Sequence, residues 1–182
     1  MESYLQPFSC STPPNVQPLS CANRGVGLEE DDMAADRIEC EIDIEATVER
    51  VWALLTQAEH LGTWFGDAGA TIDLQPGGAV ALFWREMGTT RAIVEQVEPM
   101  RLFSFRWSRP GDAAPVAGNS TLVEFTLSKL DSGTRLQMVE SGFSALDGDD
   151  ASRGAAREDN VGGWTAKLEE LRQYAVRTNV AA

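Results

Sequence analysis

The sequence predicts an α+β domain: a curved antiparallel sheet of about six or seven strands with a long C-terminal helix laid across it. Three observations predict this. Ile38, Cys40, Ile42 and Ile44 alternate with Arg37, Glu39, Glu41, Asp43 and Glu45, the period-2 pattern of a strand with one buried face. Between Ala70 and Ser141, short alternating segments succeed one another with turn residues between them and no helix, which argues against βαβ units and a parallel sheet. Val161, Trp164, Leu168, Leu171 and Ala175 then recur at helical spacing, the apolar stripe of a helix expected from Ser152 to Arg177. That stripe needs a large apolar partner, and the sheet is the only one on offer.

Residues 1–35 read differently from the rest. Pro7, Pro13, Pro14 and Pro18 interrupt any regular structure, and the acidic run Glu29-Glu30-Asp31-Asp32 follows. Such a segment buries too little apolar surface to offset its ordering entropy, so a disordered extension is expected there, with the folded domain over 36–180. Met33 stands where translation could begin. After the first strand, Val48, Val51, Trp52 and Leu55 form a short helical stripe, and Thr56-Gln57-Ala58-Glu59 has the pattern of a capping box opening a second short helix that ends near Trp64-Phe65-Gly66. Strands are expected at Ala70–Leu74, Ala79–Arg85, Thr90–Val97, Leu102–Trp107, Thr121–Leu127 and Thr134–Ser141. Their turns are marked by Pro76-Gly77-Gly78, Met87-Gly88, Glu98-Pro99-Met100 and Asp131-Ser132-Gly133, and a long loop runs from Ser108 to Gly118. Asp147-Gly148-Asp149-Asp150 lacks the glycine and glutamate of a calcium loop; it reads as a polar loop whose acids favour the N-terminus of the last helix.

Composition narrows the function classes. At 182 residues and 43% hydrophobic, the chain has the means for one sizeable core. A net charge of -13 repels phosphate backbones and anionic membranes, so no nucleic-acid partner is expected. No apolar run approaches the roughly 20 residues that span a bilayer, so no membrane insertion is expected. Met1 to Gln17 has neither the basic start nor the apolar stretch of a signal peptide, which points to a cytoplasmic protein. Cys10, Cys21 and Cys40 form no C-x-x-C pair and read as reduced thiols. His60, the single histidine, cannot alone supply a metal site, no G-x-S-x-G elbow exists for it to serve, and it reads as a surface residue. With no phosphate loop or dinucleotide fingerprint, no cofactor is expected.

Four stretches carry a resemblance. They are Ala46-Thr47-Val48-Glu49-Arg50-Val51-Trp52, Leu61-Gly62-Thr63-Trp64-Phe65-Gly66, Val97-Glu98-Pro99-Met100-Arg101-Leu102, and Glu140-Ser141-Gly142-Phe143 together with Gly163-Trp164-Thr165-Ala166-Lys167-Leu168. In order and spacing they resemble the SRPBCC (START/Bet v-like) superfamily, and within it the activator of heat shock protein 90 ATPase homologue-like domains. The resemblance implies a helix-grip fold, a curved sheet wrapped around the C-terminal helix with the two short helices closing one end. It also implies an internal cavity for lipids, polyketides or other apolar molecules. Some relatives are cyclases or hydrolases, and some assist a chaperone.

Candidate lining residues follow from inward parity. Phe125 shares a strand face with Val123 and Leu127, and Met138 and Glu140 share one with Leu136. Phe103, Phe105 and Trp107 share a face of the aromatic strand; Trp164 and Leu168 supply the helix side; Trp64 and Trp84 are placed at the opening. Apolar residues at these periods ordinarily make plain core, whereas tryptophan suits a half-wet rim. Glu140 is the notable polar position, either an acid, base or hydrogen-bond anchor in the cavity or half of a strand-end ion pair with Arg106 or Arg91. The leading functional expectation is binding of a small hydrophobic molecule or lipid, as a carrier or sensor. An enzyme of cyclase, dehydratase or hydrolase type using a cavity carboxylate is the alternative. A co-chaperone ranks last, because the first 35 residues are too short to supply a separate chaperone-binding domain. Association as a homodimer is left open.

Overall fold

The computed structural model describes residues 20–22, 36–109 and 111–179. In chain order the elements are β1 (Ser20–Ala22), β2 (Arg37–Ile44), α1 (Val48–Thr56), α2 (Ala58–Trp64), β3 (Ala70–Ile72), β4 (Ala79–Trp84), β5 (Gly88–Glu98), β6 (Leu102–Ser108), β7 (Ser120–Leu130), β8 (Gly133–Ser141) and, after a 3-10 turn at Phe143–Ala145, α3 (Asp150–Asn179). The strands form one antiparallel sheet in the order β1-β2-β8-β7-β6-β5-β4-β3. Seven of them make up the curved sheet that the sequence predicts; β1 adds an eighth. The only crossover among the described strands joins β2 to β3 through α1 and α2, and the remaining neighbours follow as a meander. This is the α+β helix-grip arrangement.

The alternation in β2 does what its period requires: Ile38, Cys40, Ile42 and Ile44 are buried while Arg37, Glu41 and Asp43 are exposed. Across β7 and β8 the same inner face carries Val123, Phe125 and Leu127 opposite Glu140, Met138 and Leu136. The register of β5 slips between Val94 and Gln96, a bulge that sharpens the local twist beside the aromatic strand β6. On α3, Trp164, Leu168, Leu171 and Ala175 are buried, so the stripe at spacings of four and three is the face laid on the sheet. Burying one leucine of that stripe stabilises the fold by about 1.5–3 kcal/mol. Asp149 and Ser152 cap the helix reciprocally. The Ser152 backbone N donates to Asp149 Oδ1 at 2.9 Å, and the Asp149 backbone N donates to Ser152 Oγ at 3.0 Å.

Several expectations need correction. Ser20–Ala22 is a strand paired with Glu39–Glu41 and so departs from the disordered extension; the rest of residues 1–35, with Met33, lies outside the described residues. Cys40 is disulfide-bonded, so the reading of reduced thiols fails for it; the backbone register sets Cys21 opposite Cys40. The capping box at Thr56 does not form. Its hydroxyl instead donates to Trp52 O at 2.7 Å inside α1, and Gln57 caps α2 without a side-chain bond. His60 is half-buried between α1 and α3 rather than on the surface.

Candidate functional site

Four elements converge at one end of the sheet. The β4–β5 hairpin brings Trp84 and Thr90, β6 brings Trp107 one residue before its end, the chain leaving α2 turns Phe65 inward, and α3 contributes Asn160, Gly163, Trp164 and Lys167 along one face. Between them is a partly open pocket of about 500 Å³. Its wall is aromatic. Phe65 stacks on Trp164 at 5.2 Å and on Trp107 at 5.9 Å, and meets Trp84 edge-on at 5.6 Å between centroids. Trp107 and Trp164 lie 5.5 Å apart, tilted by 35°.

Behind this wall sits Glu140, with none of its surface exposed. Oε1 accepts from Thr121 Oγ1 at 2.6 Å, Trp107 Nε1 at 2.8 Å and Asn160 Nδ2 at 2.8 Å. Oε2 accepts from Trp164 Nε1 at 2.6 Å and from the same Asn160 amide at 3.0 Å. A carboxylate offers about four lone-pair sites, and here they are filled by neutral donors. The Trp107 N–H is shared with Thr121 Oγ1 at 2.8 Å. The Asn160 amide faces two ways: its Nδ2 serves Glu140, and its Oδ1 accepts from Arg109 Nη1 at 2.5 Å. Arg109 Nη1 also donates to Ala156 O at 3.2 Å. A relay thus runs from the buried carboxylate through Asn160 to a guanidinium at the pocket mouth.

Both readings of Glu140 from sequence are therefore altered. It makes no ion pair with Arg106 or Arg91; Arg106 pairs with Glu95, and Arg91 Nε donates to Asp112 O. Nor does the carboxylate reach the pocket, since Trp107, Trp164 and Asn160 stand between them. As placed, it orients donors and has no free lone pair for a substrate proton.

Of the other sequence-derived candidates, Trp84, Trp107 and Trp164 line the pocket. Trp64 is buried beneath Phe65, its Nε1 donating to Leu54 O at 2.8 Å. Phe103, Phe105, Phe125, Met138 and Leu168 are buried in the core cluster and do not line this pocket. Parity reasoning missed Phe65, Thr121, Asn160, Arg109 and Lys167. Asn160 carried a signal: it lies one helical turn before Trp164, so both were bound to face the same strand end. Arg109, in the loop after β6, carried none. Among the described residues, no group of three or more His, Cys, Asp or Glu side chains could hold a metal ion, and no helix is long and apolar enough to cross a membrane.

Comparison with known proteins follows the same lines. Residues 45–175 match the family described as activator of Hsp90 ATPase homolog 1-like protein. No curated protein matches the chain. Protein MLL2253 from Mesorhizobium loti is similar in structure, with a TM-score of 0.65 and 24% identity over 78% of this chain and 98% of that one. Protein NE0264 from Nitrosomonas europaea gives a TM-score of 0.64 at 19% identity, over 82% and 99% of the two chains. CalU16 from Micromonospora echinospora gives 0.58 at 22% identity, over 76% and 75%. At these identities the likeness is one of fold.

Proposed function

Because the chain belongs to the activator of Hsp90 ATPase homolog 1-like family, a fold that commonly encloses hydrophobic ligands, we propose that it binds a small apolar molecule or lipid in the pocket between β4–β6 and α3, as a carrier or sensor. One observation carries this reading. The indole N–H groups of Trp84, Trp107 and Trp164 are all committed inside the protein, to Thr90, Glu140 and Thr121, so the rings turn apolar surface to the space they surround. An aromatic wall with its polar edges already bonded suits an apolar guest. A cyclase-, dehydratase- or hydrolase-type reaction would need a proton-transfer group that meets the guest, and the sealed Glu140 does not offer one.

The test is a thermal-shift screen with fatty acids, sterols and aromatic polyketides on the wild type and on Gly163→Leu. A Cβ built at Gly163 meets nothing within 4 Å, so leucine there extends into open space beside the wall. A ligand at a hundred times its Kd stabilises by about 2.7 kcal/mol, several degrees for a chain of this size. Expected is at least one compound that raises the Tm of the wild type and leaves Gly163→Leu unmoved. A screen in which nothing shifts the wild type, or in which both proteins shift alike, overturns the reading.

A further inference from the structure

We propose, resting on the ligand-binding reading above, that the guest is an anion: a flat aromatic or conjugated molecule whose carboxylate docks on Arg109, with Lys167 as a second cation along the same pocket. The hydrogen-bonding capacity left at the pocket points this way. With the three indole donors bonded to protein oxygens, the charged donors that remain on its lining are Arg109 and Lys167. Arg109 uses Nη1 on Ala156 and Asn160. Among the described residues its Nε donates to nothing, and its Nη2 has only Asp159 Oδ2, at 3.7 Å. A guanidinium held by one nitrogen and open along Nε and Nη2 presents the paired N–H edge that accommodates a carboxylate in bidentate fashion. The relay from Glu140 through Asn160 fixes that edge in advance, so little side-chain freedom is lost on binding.

Lys167 lies seven residues further along α3 than Asn160, about 10 Å along the helix axis. Its Nζ sits 5.5 Å from the centre of the Trp84 ring and donates to Glu170 at 2.8 Å, which leaves two of its three N–H groups for other acceptors. The acids nearby do not cancel this arrangement. Asp159 is 75% exposed and beyond hydrogen-bonding distance of Arg109, so solvent weakens its claim on the guanidinium. The net charge of -13 opposes the approach of an anion. In about 0.1 M salt, however, that repulsion is screened beyond about 10 Å, whereas the contact with Arg109 is not.

Three probes of one shape test the inference: 2-naphthoate, neutral 2-naphthamide and cationic 2-naphthylmethylammonium, titrated by quenching of tryptophan fluorescence. Expected is at least tenfold tighter binding of the carboxylate than of the amide. Arg109→Gln should remove most of that preference, bringing the carboxylate's Kd close to that of the amide measured on the same variant. Lys167→Gln, which leaves the relay intact, should reduce the preference by a smaller factor. If the amide binds as well as the carboxylate, or the ammonium binds best, the anion inference falls and the apolar pocket stands. If no probe binds the wild type, the flat aromatic anion falls as the guest, and the thermal-shift screen alone decides the ligand-binding reading.

Discussion

Glu140 is the residue on which the architecture of the pocket converges. Replacing it with glutamine keeps the shape and reverses part of the hydrogen bonding: an NH2 group would face donors from Trp107, Trp164, Thr121 and Asn160. Leaving buried donors unmatched in this way should cost about 2–4 kcal/mol, read as a lower denaturation midpoint with an unchanged m-value. An unaltered midpoint would mean that the donors relax to other partners. The inward direction of Glu140 was legible from strand parity alone. Its partners were not, because a carboxylate's neighbours in space come from β6, β7 and α3, and a single sequence gives no distance between them. His60 makes the opposite case. Its Nε2 lies 3.1 Å from Arg50 Nη1, which can only donate, so Nδ1 carries the proton toward Tyr174 Oη at 3.0 Å. Burial foremost, then the Arg50 charge, hold its pKa below the usual 6.5, against a smaller opposing pull from Glu59. The unfolded chain then takes up the proton more readily than the folded one. The stability contributed by the neutral ring is fully present above pH 6.5 and declines as the pH falls through 6.5 toward the lower folded value. His60→Gln should flatten that part of the profile relative to wild type, measured as Tm against pH.

At the scale of elements, period was a good guide and capping a poor one. The strands and α3 emerged from alternation and helical spacing, with ends that moved by a few residues because the last ladder and helix bonds depend on neighbours rather than on composition. The Thr56 motif misled because α1 and α2 are nearly continuous, so the preceding turn had already claimed its hydroxyl. Glycines within the helices give a contrast that decides between propensity and space. In α2, a Cβ at Gly62 would lie 2.5 Å from Ala70 N and 2.6 Å from Gly69 C, both backbone atoms that cannot yield cheaply. Gly62→Ala should therefore destabilise by about 1–3 kcal/mol despite the better helix former. In α3, a Cβ at Gly162 meets nothing, so Gly162→Ala should stabilise by about 1 kcal/mol. Paired thermal melts of the two variants check the signs, and equal shifts would refute the close approach of α2 to β3.

Across the whole molecule, the helix-grip class followed from element order, but the position of the pocket did not. Phe103, Phe105, Phe125 and Met138 fill the middle of the concave face, and space remains where the β4–β5 hairpin and the first half of α3 diverge. Which large side chains fill a curve and which border a gap depends on curvature, and curvature is set by the bulge in β5 and by tertiary packing rather than by any local period. The charge of the whole is a separate lever. At -13 the folded chain repels itself, so moderate salt should raise the Tm by screening. Surface pairs such as Arg135 with Asp43 weaken under the same treatment, but solvent already screens them and they have little to lose. A Tm that falls between low and moderate NaCl would show that such pairs outweigh the net repulsion.

The indoles of Trp107 and Trp164, held close and askew by a shared carboxylate, have one further consequence. Two such chromophores at fixed tilt form a chiral optical pair, so the site carries its own label. Anything that wedges against them, or loosens the anchor beneath, should alter the circular dichroism of the native protein before it alters the fold.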